Sequence, residues 1–215
     1  MGSRWEMERK KDPYYRRAKS EDYRSRASYK LKQLNKRFKI IKEGNTVVDL
    51  GAAPGGWSQV ALEKIGEEGV VVGVDLNRIK PFPEGNFYGI RGDFTKEIVQ
   101  EKVMELTNGK VDVLMSDASP SLSGVKSIDH LRSIDLINAV LDIADNILKN
   151  DGNLLIKAFQ GPEYKTVLDE IKKRFRKVKS TKPPSSRNRS SEMYIVALGF
   201  KRPKNQAKLE NKNLK

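Results

Sequence analysis

The chain has 215 residues, with 42 Lys and Arg against 28 Asp and Glu and a formal net charge of +14. The absence of cysteine excludes a disulfide framework, a thiol nucleophile and sulfur-held zinc or iron–sulfur clusters, and the single histidine, His130, has no second histidine with which to share a metal. No apolar run approaches the roughly 18 residues that span a bilayer, and the basic amino terminus lacks the apolar stretch of a signal peptide, so a soluble, cytoplasmic, metal-free protein of one domain is expected.

In chain order, residues 1–19 are polar with scattered aromatics (Trp5, Tyr14, Tyr15) and read as irregular. From about Glu21 to Phe38, Ala27, Leu31, Leu34 and Phe38 recur at helical spacing and predict a basic helix. Thr46–Leu50 is a short apolar strand running into a glycine loop, and a helix follows over about Gly55 to Ile65. Val70–Asp75 and Asn86–Arg91 read as strands, Lys96–Leu106 as a helix, Val111–Ser116 as a strand and about Ser127–Lys149 as a longer helix. The turn Asn150-Asp151-Gly152 leads into strand Asn153–Phe159, and Tyr164–Arg174 reads as a helix. Arg176–Ser180 and Met193–Gly199 would pair as an antiparallel hairpin, and residues 201–215 read as a disordered basic tail. Alternating strands and helices imply an α/β fold whose mostly parallel sheet is covered on both faces.

The charge is segregated along this order. Residues 1–42 carry 15 Lys and Arg against 5 acids, and residues 171–215 carry 15 against 2, whereas the segment between them is net acidic. Chain ends often lie close together, so two basic segments would flank one face of the fold. That face suits a phosphate backbone, with the basic helix and the Arg187/Arg189 loop gripping phosphates.

The run Asp49-Leu50-Gly51-Ala52-Ala53-Pro54-Gly55-Gly56-Trp57 places backbone N–H groups and a helix start beside a ligand. Ala53 and Pro54 break the dinucleotide spacing, and no Lys-Ser/Thr follows as in a phosphate-binding loop. What remains is a turn suited to an adenosyl ligand without a pyrophosphate. Asp75 ends the next strand, 24 residues past Gly51, where a ribose diol would sit, and Asp93 follows the third strand, where an adenine amino group would sit. Either acid could instead be a helix cap; three consecutive strand ends carrying the expected groups favour a ligand site.

Four further ionisable residues stand where sequence rules disfavour them. Lys157 lies near the carboxyl end of the apolar run Leu154–Phe159, and Asp117 follows Val113-Leu114-Met115-Ser116 at the equivalent end of the preceding strand, so the two should be neighbours. Glu192 precedes the apolar run Met193–Val196, and Lys30 lies on the basic helix.

With these residues in place, the chain from about Asp12 to Phe200 resembles the FtsJ/RrmJ family of S-adenosylmethionine-dependent RNA ribose 2′-O-methyltransferases. The resemblance rests on Arg24-Ser25-Arg26-Ala27-Ser28-Tyr29-Lys30-Leu31, the Asp49-to-Gln59 loop, Gly92-Asp93-Phe94, Met115-Ser116-Asp117, Lys157-Ala158-Phe159-Gln160-Gly161 and the segment from Lys182 to Glu192. It implies a Rossmann-like class I methyltransferase fold, with a seven-stranded sheet over residues 43–200 and the basic arm of residues 1–42 as an RNA-binding part of the same unit. It also implies a catalytic tetrad of Lys30, Asp117, Lys157 and Glu192, and contacts to S-adenosylmethionine from Gly51, Gly55, Trp57, Asp75, Asp93 and Asp117. The acceptor it implies is a large-subunit rRNA nucleotide, a uridine by preference, methylated by a monomer. The alternatives are a tRNA anticodon loop and, from another class, a non-catalytic ribosome-assembly factor.

Overall fold

The computed structural model describes residues 11–120, 124–187 and 190–201. Seven strands, β1 (Thr46–Leu50), β2 (Val70–Asp75), β3 (Phe87–Arg91), β4 (Val111–Ser116), β5 (Leu148–Phe159), β6 (Phe175–Thr181) and β7 (Glu192–Phe200), form one sheet in the order β3-β2-β1-β4-β5-β7-β6. Neighbours from β3 to β5 run parallel, while β7 runs antiparallel to both β5 and β6. Six helices accompany the sheet among the described residues: α1 (Pro13–Ser20), α2 (Ser28–Phe38), α3 (Gly56–Ile65), α4 (Glu97–Thr107), α5 (Lys126–Ile147) and α6 (Tyr164–Arg174). None is long and apolar enough to cross a membrane.

The near-continuous apolar strands follow from burial on both faces. Side chains alternate across a strand, so β1, β2 and β4 send Val48, Val72 and Leu114 to one face and Val47, Val71 and Val113 to the other. The first face packs against α4, α5 and α6 through Val103, Val140 and Ile171, and the second packs against α2 and α3 through Leu31, Leu34 and Val60. Each such fully buried aliphatic side chain contributes about 1.5–3 kcal/mol. The basic helix is therefore built into the core, with only its outer face left to carry charge.

Two expectations need correction at the amino terminus. Residues 13–20 are helical because Asp12 accepts from the N–H groups of Tyr14 and Tyr15 and Pro13 occupies the first turn. The second helix starts at Ser28 rather than near Glu21, since Asp22 adopts φ 55° and the Arg24 N–H donates to Gln59 Oε1 on α3. Arg189 and the tail of residues 202–215 lie outside the described residues. The turn expected at 150–152 is an irregularity within β5, where pairing with β4 shifts register and Asp151 takes φ 66°.

Trp57, 3% exposed, sits in the core shared by α2, α3 and β7, and its indole N–H donates to the Ala27 carbonyl at 2.9 Å. Trp57→Phe keeps most of the apolar volume but leaves that carbonyl without its donor. Urea denaturation should show an unfolding free energy lower by about 1–3 kcal/mol; an unchanged value would mean that the bond carries no net stability.

Candidate active site

A cavity of about 620 Å³ opens beyond the carboxyl ends of the parallel strands, walled by the loops after β1, β2, β3 and β4 and by α5. Gly51, Asp75, Asp93 and Asp117 all line it. The turn after β1 is tied down in several ways: Gly51 and Ala52 donate to the Val74 carbonyl at 2.8 and 3.1 Å, and Ala53 N–H donates to Asp75 Oδ2 at 2.9 Å. Gly51 has φ +76°, and a Cβ there would stand 2.8 Å from Ala118, so only glycine allows the β1 and β4 loops to approach this closely. Gly55, with φ 108°, opens α3, whose first turn has no side-chain cap and so keeps backbone donors for a ligand.

The carboxylates differ in environment. Asp75 Oδ1 accepts from the Asn77 N–H at 2.7 Å, and a carboxylate oxygen retains further acceptor capacity for ribose hydroxyls. Asp93 accepts on Oδ1 from both the N–H and the hydroxyl of Thr95, at 2.9 and 2.8 Å, and the Thr95 backbone bond holds its carboxyl below the ordinary range despite partial burial. Asp49, on the same face of β1 as the buried Val47, is fully enclosed. Its Oδ2 accepts from Ser58 Oγ at 2.7 Å and its Oδ1 has no partner among the described residues. Asp49 does not line the cavity; through Ser58 it ties the end of β1 to the first turn of α3. Gly55 and Trp57 do not line the cavity; the Trp57 side chain turns inward, leaving only the backbone of the α3 amino end near the turn.

The four scattered charges meet. Lys157 Nζ lies 3.2 Å from Asp117 Oδ1 and donates to the Asp117 carbonyl at 2.6 Å. Lys30 Nζ lies 2.9 Å from Glu192 Oε1. The two pairs are joined by Tyr194, whose hydroxyl accepts from Lys30 Nζ at 2.8 Å and donates to Asp117 Oδ1 at 2.9 Å. These ion-pairing side chains are only 8–19% exposed. Burial, reinforced by Asp117 and Glu192, pushes the Tyr194 phenol far above its usual range, so it keeps its proton and the polarity of the row is set. Burial works against ionisation of Glu192, yet Lys30 holds its carboxyl below the ordinary value.

The pairing register explains the assembly. Lys157 stands directly opposite Tyr194 on β7, and Glu192 lies two residues away on the same face. Because β7 runs antiparallel, its amino end lies beside the carboxyl end of β5. Asp117 lines the large cavity, whereas Lys30 and Glu192 line a second cavity of about 380 Å³ with Arg26, Arg187 and Ser190. Lys157 lines neither; it stands behind Asp117 with Ser116 and Ala118.

Sequence reasoning missed Tyr194, although the pattern Glu192-x-Tyr194 in a strand signals a shared face. It quoted Arg24 in a motif without a role; the guanidinium lies 3.3 Å from the Phe82 ring centroid, donates to the carbonyls of Lys80 and Pro81 at 2.5 and 2.6 Å, and reaches the Pro54 carbonyl of the glycine turn at 3.4 Å. Arg132 and Asp135 of α5, which line the large cavity, carried no sequence signal beyond helical phasing.

Sheet order, antiparallel terminal hairpin and ligand edge together define a Rossmann-like class I methyltransferase fold. The model of the FtsJ-like methyltransferases matches residues 23–200, and the chain belongs to that family. It is 72% identical over 206 residues to the ribosomal RNA large subunit methyltransferase E of Methanobrevibacter smithii, covering 96% of this chain and 98% of that protein. The protein of the same name from Methanothermobacter thermautotrophicus is 63% identical, with 94% and 95% covered. Among solved structures, a Plasmodium falciparum protein described as a ribosomal RNA methyltransferase superposes with a TM-score of 0.75 at 31% identity, covering 83% of this chain and 98% of that one.

Burial, partly offset by Ser58 and reinforced by Asp117 and Asp75, pushes the Asp49 carboxyl from its ordinary 3.8 up to about 7. Between those values the folded state holds a proton that the unfolded state has released, so this group's contribution to stability falls as pH rises through the window. In urea denaturation the advantage of Asp49→Asn over the parent should grow up to about pH 7 and then level off. A difference independent of pH would contradict this.

Proposed function

We propose that the protein transfers a methyl group from S-adenosylmethionine to a ribose 2′-hydroxyl, by preference that of a uridine, in large-subunit ribosomal RNA, acting as a monomer in the cytoplasm. The observation that carries this reading is the buried row Lys157–Asp117–Tyr194–Lys30–Glu192, in which Asp117 meets the nucleoside-sized cavity, Lys30 and Glu192 meet the basic one, and Lys157 stands directly behind Asp117. The names of the close relatives support the choice of RNA.

Gly51 and the amino end of α3 would hold the amino-acid moiety of the cofactor; Asp75 would hold the ribose and Asp93 the adenine. When bound, S-adenosylmethionine supplies a methyl group on a sulfonium, an electrophile with a good leaving group. The protein's task is then mainly alignment and exclusion of water. Lys157 takes the proton of the ribose hydroxyl as the methyl is transferred or, where it stays charged, stabilises the developing alkoxide while the proton passes to solvent, and Asp117 fixes its amino group through both its carboxylate and its carbonyl. Lys30 and Glu192, steadied by Tyr194, orient the acceptor nucleoside. The basic flanks carry the phosphates, which makes RNA binding steeply salt-dependent.

The test is incubation with radiolabelled S-adenosylmethionine and separated pools of large-subunit rRNA and tRNA, followed by mapping of the labelled ribose. Label in the rRNA ribose supports the reading; label only in tRNA or in bases overturns it. Lys157→Met should lower kcat by about 10²–10⁴-fold while leaving the cofactor Kd within a few-fold. Asp93→Ala should instead raise that Kd in calorimetry, with an unchanged value removing Asp93 from the cofactor site.

A further inference from the structure

The segment between α1 and α2 is stitched to the start of α3. The Arg24 N–H donates to Gln59 Oε1, Gln59 Nε2 donates to the Asp22 carbonyl and Ser28 Oγ donates to the Gly56 carbonyl, each at 3.0 Å. These bonds fix where the Arg24 side chain begins. Its guanidinium covers the Phe82 ring and donates to carbonyls on two different loops, Pro54 in the glycine turn and Lys80 and Pro81 in the loop after β2. Gly55 lies against the same pair, since a Cβ there would stand 2.9 Å from Arg24 Nη1 and 3.0 Å from Phe82 Cζ. Phe82 in turn meets Phe87 of β3 edge-on, with ring centroids 4.6 Å apart. Arg24 does not line the large cavity, but the two loops it joins supply Gly51, Ala53, Asp75, Leu76 and Asn77 to its wall. Those loops already share one tie between side chain and backbone, the Ala53 N–H bond to Asp75 Oδ2. Arg24 adds a second.

From this geometry, and resting on the reading of the large cavity as the cofactor site, we infer that Arg24 is a positioning residue for S-adenosylmethionine and not a ligand of the RNA. It fixes the spacing between the glycine turn, which meets the amino-acid moiety, and the loop of Asp75, which meets the ribose. A second tie removes freedom from the two loops before the cofactor arrives, so less order has to be gained on binding. A guanidinium suits this task, because its rigid planar fork reaches carbonyls on both loops while its face stays on the ring; an ammonium is only a point charge. Both terminal nitrogens of Arg24 already donate to carbonyls, which sets it apart from the rest of the basic arm.

Calorimetry with S-adenosylmethionine, together with fluorescence anisotropy of a labelled single-stranded oligoribonucleotide over a range of salt, separates the two roles. Arg24→Ala should raise the cofactor Kd about tenfold, the worth of one or two charge-assisted hydrogen bonds. Its slope of log RNA Kd against log salt should stay parental, whereas loss of a phosphate ligand would flatten it by about one unit. In turnover, the KM for S-adenosylmethionine should rise with kcat nearly unchanged. Arg24→Lys keeps the charge and should recover only part of the affinity. Phe82→Leu keeps apolar bulk without the ring face and should raise the cofactor Kd less than additively with Arg24→Ala. Arg174→Ala, which removes a guanidinium held by Asp145 and Glu170, is the control: it should lower stability in urea with the cofactor Kd unchanged. A parental cofactor Kd in either Arg24 variant, an equal rise in Arg174→Ala, or a flattened salt slope in Arg24→Ala overturns the inference. A parent that does not bind S-adenosylmethionine overturns it together with the cofactor reading. Failure of the parent to label rRNA would instead overturn the proposed acceptor, and the cofactor Kd values would still decide the role of Arg24.

Discussion

Two lysines and two carboxylates cannot be taken from water singly, and the molecule is arranged around pairing them. At about 3 Å and an effective dielectric near 20, each ion pair gains about 5 kcal/mol, while desolvation costs several kcal/mol per ion. These terms nearly cancel, so the row adds little net stability and instead specifies geometry. Removing any one member would leave a buried charge exposed to the full desolvation cost. Tyr194 makes the arrangement a unit, because a phenol that keeps its proton accepts from Lys30 and donates to Asp117 in one orientation only.

The sheet supplies the alternation this requires. Val47 and Asp49, Val71 and Asp75, and Leu155 and Lys157 each share a strand parity, and Asp117 follows β4 directly, so apolar residues facing α2 and α3 give way to charged ones as the strands reach their carboxyl ends. The same face that makes the core deeper in the sheet makes the site at its edge. This explains why α2 is both a core helix, through Leu31 and Leu34, and the carrier of Lys30.

Much of the fold was legible because its signals are local. Strand–helix alternation, the glycine turn and the carboxylates after β2 and β3 each sit within a few residues of the element they end. The errors lay where long-range contacts overrule local pattern. The Glu21–Ser28 stretch has helical phasing, yet Arg24 and Gln59 draw it out to brace the glycine turn. The Trp57 indole, for its part, is held in the core by the Ala27 carbonyl, a partner 30 residues away that local pattern does not reveal.

By itself, the order of residues determined which groups stand at the ends of the parallel strands, since period-two alternation and turn chemistry act over short distances. Whether Lys30 meets Glu192 across 162 residues, whether a tyrosine joins their pair to Lys157 and Asp117, and whether Asp12 reaches two arginines were decided only by tertiary packing. The physical reason is that a buried charge specifies the need for a counter-charge without specifying its source. The antiparallel entry of β7 and the docking of α1 and α2 on one sheet face supply it.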